Sequence, residues 1–247
     1  MTQIYDLQTI HEELRCLGAE LTDDEWRTPT AAMGWVVKDQ FAHLADTEEV
    51  AHDTLTGDER RFPVAVSTHP TAEAFTQAGV DARRDTPKAE LMASWERAAA
   101  RTAAALGTIE PSRSVEWGFG MTAETFARAR VMEHWAHGCD VTDALGRPPL
   151  SGRYLRAIAE LGLLTLPYAL LRARVSQGRG QPLHLALSGP DGETWRLGPE
   201  SGTNRIQGPA EAWCRVVVRR ARPVDRSALL VHGPTAEAAM AHARAYL

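Results

Sequence analysis

The sequence predicts a mostly α protein, a helical bundle followed by a small α+β unit, and three observations lead there. Long segments up to about residue 174 consist of helix-forming residues, with apolar positions recurring every three or four residues. The run Ser176-Gln177-Gly178-Arg179-Gly180-Gln181-Pro182 has linker composition. Beyond it, Leu183 to Leu187 and Thr194 to Leu197 flank the turn Gly189-Pro190-Asp191-Gly192 and read as a β-hairpin. The expected domains are therefore 1–175 and 182–247.

The first helix runs from Asp6 to Leu21 and turns Leu7, Ile10, Leu14, Leu17 and Leu21 inward. Thr22-Asp23-Asp24-Glu25 spells a capping box for a short helical turn through Trp26, which Pro29 stops. A loop containing Met33-Gly34-Trp35 leads to a helix from Val37 to Thr56, closed by Gly57. Asp58 to Pro70 reads as a polar connection and Thr71 to Val80 as a short helix. Thr86-Pro87 opens a helix that carries Leu91, Trp95, Ala98, Thr102 and Leu106 inward and ends at Gly107. Val115 to Met121 is a Gly-rich aromatic loop ahead of a helix from Thr122 to Leu145. The Leu-rich helix from Gly152 to Arg174 contains Pro167, which is expected to kink it. In the α+β unit Pro209 to Arg220 and Thr235 to Tyr246 read as helices, with Ser227 to Val231 a strand between them.

The chain has 247 residues and a net charge of −5, with no block of Lys and Arg. Such a balance lacks the basic footprint of nucleic-acid binding, so DNA and RNA are excluded as partners. The opening residues do not spell a signal peptide, and no run approaches the ~18 apolar residues of a membrane span. A cytoplasmic protein, monomeric or homodimeric, is expected. Cys16, Cys139 and Cys214 lie far apart without a CxxC pair, so they are read as small buried hydrophobes rather than a disulfide or thiolate-metal set. His11, His52, His69, His184, His232 and His242 are read as surface residues.

The helix from Thr122 is unusual. Arg130, Glu133, His137 and Asp140 stack at spacings of three or four, forming one ionisable stripe on a helix without a clean apolar face. If that stripe points inward, its charges need partners or a cation. On the helix from Val37, Asp39, His43 and Asp46 share a side in the same way. Two antiparallel bundle helices can bring His43 together with Glu133 and His137, two imidazoles and a carboxylate, which leaves a tetrahedral ion an open position. Asp46, Asp39, Arg130 and Asp140, one turn away, are placed to orient the imidazoles. The plainer alternatives are a core histidine at 43 and an intrahelical ion pair between Glu133 and His137.

Two stretches then resemble a known family. Gly34-Trp35-x-Val37-x-Asp39-x-x-Ala42-His43-Leu44 is similar to the second-helix motif of the DinB-like superfamily. Met132-Glu133-x-Trp135-Ala136-His137-Gly138-x-Asp140-Val141 resembles the corresponding motif of its mycothiol-dependent maleylpyruvate isomerase branch. The resemblance extends over the whole chain, including the Trp117 to Met121 loop and Gly208-Pro209-Ala210 beside the hairpin. It implies a DinB-like four-helix bundle whose divalent metal, usually zinc, is held by His43, Glu133 and His137. Val36 departs from the pattern, since relatives commonly carry a Ser or Thr helix cap there.

The resemblance further implies thiol chemistry. A metal-activated thiol, mycothiol as cosubstrate, would attack a small electrophile, either isomerising it or remaining attached as a thioether. Trp35, Trp117, Met121 and His134 are candidates for the substrate wall, although packing is the plainer reading of the tryptophans. Arg215, Arg219, Arg220 and Arg222 are candidates for holding an anionic group, with a solvated helix face as the alternative. Two rival functions share the site: a hydrolase using water in place of the thiol, and a noncatalytic metal-binding or stress protein.

Overall fold

The computed structural model describes residues 2–176, 180–200 and 202–245. These form two compact units, 1–150 and 151–247. Among the described residues no helix is long and apolar enough to cross a membrane.

The first unit is a four-helix bundle of α1 (Thr2–Glu20), α2 (Val37–Thr56), α5 (Lys88–Thr108) and α6 (Ala123–Ala144). Helix α1 packs on α5 and α6, and α2 packs on the same two. Two short helices, α3 (Phe62–Ser67) and α4 (Ala72–Asp81), lie against α2, and a 3-10 turn, Glu25–Arg27, follows α1. Local chemistry sets most of these boundaries. Thr71 Oγ1 accepts from the Ala74 N–H at 3.1 Å, and Thr122 Oγ1 accepts from the Thr125 N–H at 3.2 Å. Gly57 ends α2 in the left-handed region at φ 85°. Helix α2 starts without a Ser or Thr cap, yet it is not loose: the Asp39 carboxylate accepts from the Val36 N–H at 2.8 Å.

Leu7, Ile10, Leu14, Phe41, Leu44, Leu91, Trp95, Phe126 and Trp135 fill the bundle core. Gly138 is needed there, because a Cβ on it would lie 2.7 Å from Leu150 Cδ1 and 3.2 Å from Leu14 Cδ2. The segment 58–70, expected to be a connection, carries α3, which begins at Phe62-Pro63 without a capping side chain, so that Pro63 in its first turn is its one local signal. The aromatic loop is a small hairpin, β1 (Ser114–Val115) paired antiparallel with β2 (Met121–Thr122).

The second unit contains α7 (Leu155–Arg172), β3 (His184–Ser188), β4 (Thr194–Leu197), β5 (Arg205–Pro209), α8 (Ala210–Val217), α9 (Pro223–Ser227), β6 (Leu230–His232) and α10 (Pro234–His242). The sheet order is β4-β3-β5-β6, antiparallel except for the parallel β3–β5 pair in which Leu185 faces Ile206. The boundary expected after residue 175 is therefore shifted: α7 belongs with the sheet. Its apolar face packs on α8, where Trp213 Nε1 donates to the Ala159 carbonyl at 3.3 Å. Residues 177–179 of the expected linker, and Tyr246 at the expected end of the last helix, lie outside the described residues. Cys139 and Cys214 are buried as expected, but Cys16 is exposed, on the outer side of α1 beside Glu12 and Arg15.

Candidate functional site

Helices α2 and α6 bring His43, Glu133 and His137 together. His43 Nε2 lies 2.9 Å and His137 Nε2 3.4 Å from the same oxygen, Glu133 Oε1, and the two imidazole centroids are 4.5 Å apart. Donor atoms ~2.0–2.1 Å from a tetrahedral ion sit about 3.3 Å from one another, so this set has the right spread for one. The side chains are 7%, 21% and 11% exposed for His43, Glu133 and His137, which leaves an opening on the Glu133 side. Trp35 walls the site, its ring centroid 5.4 Å from that of His43 and 6.2 Å from that of His137. Its indole N–H is held by Gln77 Oε1 at 3.1 Å.

The electrostatics suit a cation. Burial alone would push the Glu133 carboxyl up, but hydrogen bonds and charge from His137 and His43 outweigh it and hold the group well below the ordinary carboxylate range. Burial, helped by the neighbouring His137, lowers the His43 pKa. An anionic carboxylate beside an imidazole whose charged form burial disfavours is a donor set suited to a divalent ion.

The residues expected to support the triad are distributed differently. Asp46 turns away from His43: its Oδ1 takes Arg60 Nη2 at 2.6 Å and Arg83 Nη1 at 2.7 Å. Room for this exists because Gly79 has no side chain; a Cβ there would lie 2.3 Å from Asp46 Oδ2. Arg130 also bypasses the triad, pairing with buried Glu48 at 2.7 Å and lying 5.5 Å from the Trp117 ring centre. Asp140 stays close, with Oδ2 at 3.7 Å from His137 Nδ1. The residue that bonds that nitrogen is one the sequence reading overlooked, Gln40, whose Oε1 lies 2.6 Å away. Gln40 stands one turn before His43 on the same face, and an uncharged amide among carboxylates gave no cue.

Of the expected substrate wall, Trp35 alone has ring contacts with the triad. Trp117 stacks on Phe62, with centroids 4.3 Å apart, and Met121 forms the short ladder with Val115. His134 cannot line a pocket because it is completely buried. Arg219 and Arg220 follow α8 in the second unit, where they donate to the carbonyls of Ala241 and Val218 at 2.7 and 2.9 Å. Arg215 is buried against Glu211, and Arg222 pairs with Asp225.

His11, Glu48 and His134 form another close group. It is unsuited to a metal, because His134 has no free lone pair. The Trp95 indole N–H, which can only donate, points at His134 Nε2 at 3.2 Å, and the Arg130 carbonyl, which can only accept, takes Nδ1–H at 2.8 Å. Arg130 already neutralises Glu48.

His11 and His184 are not surface residues: His184 is buried in the second unit, and the His11 ring lies 4.4 Å from that of His134. Burial and the Arg130 charge push the His11 pKa down to about 3. Between that value and the unfolded one of ~6.5, the unfolded chain binds a proton at this position and the folded chain does not, so stability falls as pH falls through this window. Denaturant titrations from pH 7 downward should show a loss of up to about 1.4 kcal/mol per pH unit from His11, and His11→Phe should remove that part of the slope. Equal slopes in the two proteins would contradict a neutral, partly buried His11.

With the geometry in place, comparison with known proteins gives three results. Residues 7–142 match the family model described as the mycothiol maleylpyruvate isomerase N-terminal domain. Two uncharacterized proteins of Mycobacterium tuberculosis, from strains CDC 1551 / Oshkosh and ATCC 25618 / H37Rv, are each 36% identical over 223 residues, 88% of this chain and 84% of the relative. The crystal structure of a mycothiol-dependent maleylpyruvate isomerase superposes with a TM-score of 0.60 at 17% identity, covering 93% of this chain and 91% of that one. A mutant of that enzyme superposes with a TM-score of 0.61 at 16% identity and the same coverage. At such identity these structures speak for the fold.

Proposed function

Since the chain belongs to the family of the mycothiol maleylpyruvate isomerase N-terminal domain, we propose that it is a metal-dependent enzyme that uses mycothiol to isomerise or S-alkylate a small electrophile. The observation carrying this reading is the convergence of two imidazole nitrogens on one carboxylate oxygen, 2.9 and 3.4 Å away, at a partly exposed point between α2 and α6. His43, Glu133 and His137 would hold a divalent ion, with zinc suited to a two-His, one-carboxylate set. When bound, such an ion supplies the Lewis acidity that keeps a thiol ionised at neutral pH.

The chain's own residues set the conditions for that chemistry. Glu133, anionic, cancels one of the ion's two charges and leaves a net positive centre that favours an incoming thiolate. Trp35 covers the rings of His43 and His137 with an apolar face and excludes water from that side. Among the charged side chains described here, no base other than Glu133 comes within hydrogen-bond reach of both imidazoles, and its Oε1 is occupied by them. With Glu133 engaged in this way, a bound ion would supply the activation of the thiol.

Calorimetric titration of mycothiol tests this directly. Zinc-loaded wild type should bind the thiol, while chelated protein and His137→Ala should lose at least ~10-fold in affinity, a little over one kcal/mol. Equal binding by wild type and His137→Ala would overturn the role given to the ion, and turnover that needs no thiol would point to hydrolysis.

A further inference from the structure

The contact between His137 and Gln40 continues beyond the pair, and each link in it has only one permitted direction. At its far end is the backbone carbonyl of Trp35, which can only accept; it takes the Thr30 N–H at 2.9 Å and the Thr30 hydroxyl at 3.1 Å. With its proton committed there, Thr30 Oγ1 is an acceptor toward Gln40 Nε2, 2.8 Å away. The amide of Gln40 is therefore oriented with its oxygen toward His137, where Oε1 lies 2.6 Å from Nδ1. An amide oxygen only accepts, so Nδ1 carries the hydrogen and, in the neutral ring, Nε2 keeps its lone pair. That lone pair is the one directed at Glu133 Oε1.

We propose that Gln40 is a positioning residue: anchored through Thr30 on the Trp35 carbonyl, it holds His137 in the Nδ1–H tautomer so that Nε2 is presented, unprotonated, to the centre shared with His43 and Glu133. Gln40 is completely buried, so water cannot take over its role at Nδ1. The device also ties two parts of the site together. The loop residue whose ring covers the imidazoles is the one whose carbonyl anchors the chain of bonds, and the Trp35 N–H is itself fixed to the Ala32 carbonyl at 3.0 Å. A displacement of that loop would release the tautomer and uncover the rings at once.

The tautomer itself stands on hydrogen bonding alone, while its consequence for affinity rests on the metal site proposed above. Long-range 1H–15N NMR of metal-free protein, above the ordinary imidazole pKa of ~6.5, reads the tautomer directly, with the His137 signals identified by their loss in His137→Asn. Wild type should show the Nδ1–H form. Gln40→Met, which keeps length but removes the acceptor, should give mixed tautomers and a zinc affinity lower by ~10–100-fold, while Gln40→Glu, which retains an acceptor, should keep both close to wild type. Thr30→Val, which frees the amide to turn, serves as the second variant should Gln40→Met fold poorly, and should shift the tautomer in the same direction. An Nε2–H tautomer in wild type, or an unchanged tautomer in Gln40→Met and Thr30→Val, would overturn the proposal. Failure of the wild type to bind zinc would instead defeat the functional reading and leave the NMR result to decide the tautomer.

Discussion

Replacing Glu133 by Gln should lower the affinity for Zn2+ by more than the roughly 100-fold that loss of an outer partner brings, with the fold kept. Glu133 Oε1 is the atom on which both imidazoles converge, and it carries the only negative charge in the triad. An amide in its place removes that charge and offers an NH2 group that competes for the imidazole lone pairs. The fold should survive because a fifth of the Glu133 side chain is open to solvent and burial disfavours the charged form of His43, its nearest partner. Calorimetric titration with zinc measures the loss, and circular dichroism checks the helices. An affinity within about tenfold of wild type, equivalent to ~1.4 kcal/mol, would remove Glu133 from the ligand set.

The second large effect concerns stability. Arg130 and Glu48 form an ion pair whose side chains are 3% and 0% exposed, with Arg130 Nε 2.7 Å from Glu48 Oε1. Glu48 Oε2, also buried, has no hydrogen-bond partner among the described residues, so Arg130 carries most of the compensation for a charge held away from water. Arg130→Met would strand that carboxylate. Breaking such a pair costs about 3–5 kcal/mol. At ~2–4 °C per kcal/mol for a chain of this size, the melting temperature should fall by roughly 6–20 °C. The double variant Glu48→Leu/Arg130→Met, which removes both charges, should recover more than half of the loss. A drop of less than about 2 °C in the single variant would mean that the fold does not depend on Arg130 to offset Glu48.

Much of this architecture could be read from the chain because its signals are local. Gly57 ends its helix where a cap is expected, Thr71 and Thr122 stand at the helix starts the pattern gives, and the spacings of His43, Glu133 and His137 put each on the inner face of its helix. The family resemblance joined the two segments, which no spacing could do across the length that separates them. What escaped was decided by neighbours from elsewhere. Asp46 and Gln40 flank His43 on the same stripe, and helical periodicity treats them alike; Arg60 and Arg83, approaching from α3's approach loop and the end of α4, claimed the carboxylate. The amide was left for His137. The parallel pairing of β3 with β5 is similarly nonlocal, as is the packing of His11 against Trp95 and His134.

The polar seam between α2 and α6 also governs alignment. An interface of interchangeable leucines tolerates sliding, since one apolar contact replaces another at modest loss. Here a slip of one helical turn, about 5.4 Å, would part Arg130 from Glu48 and Glu133 from His43 in a single movement. Mismatched packings of the bundle would each bury charge without a counterpart, so the side chains gathered between α2 and α6 also make the helices' mutual offset unambiguous.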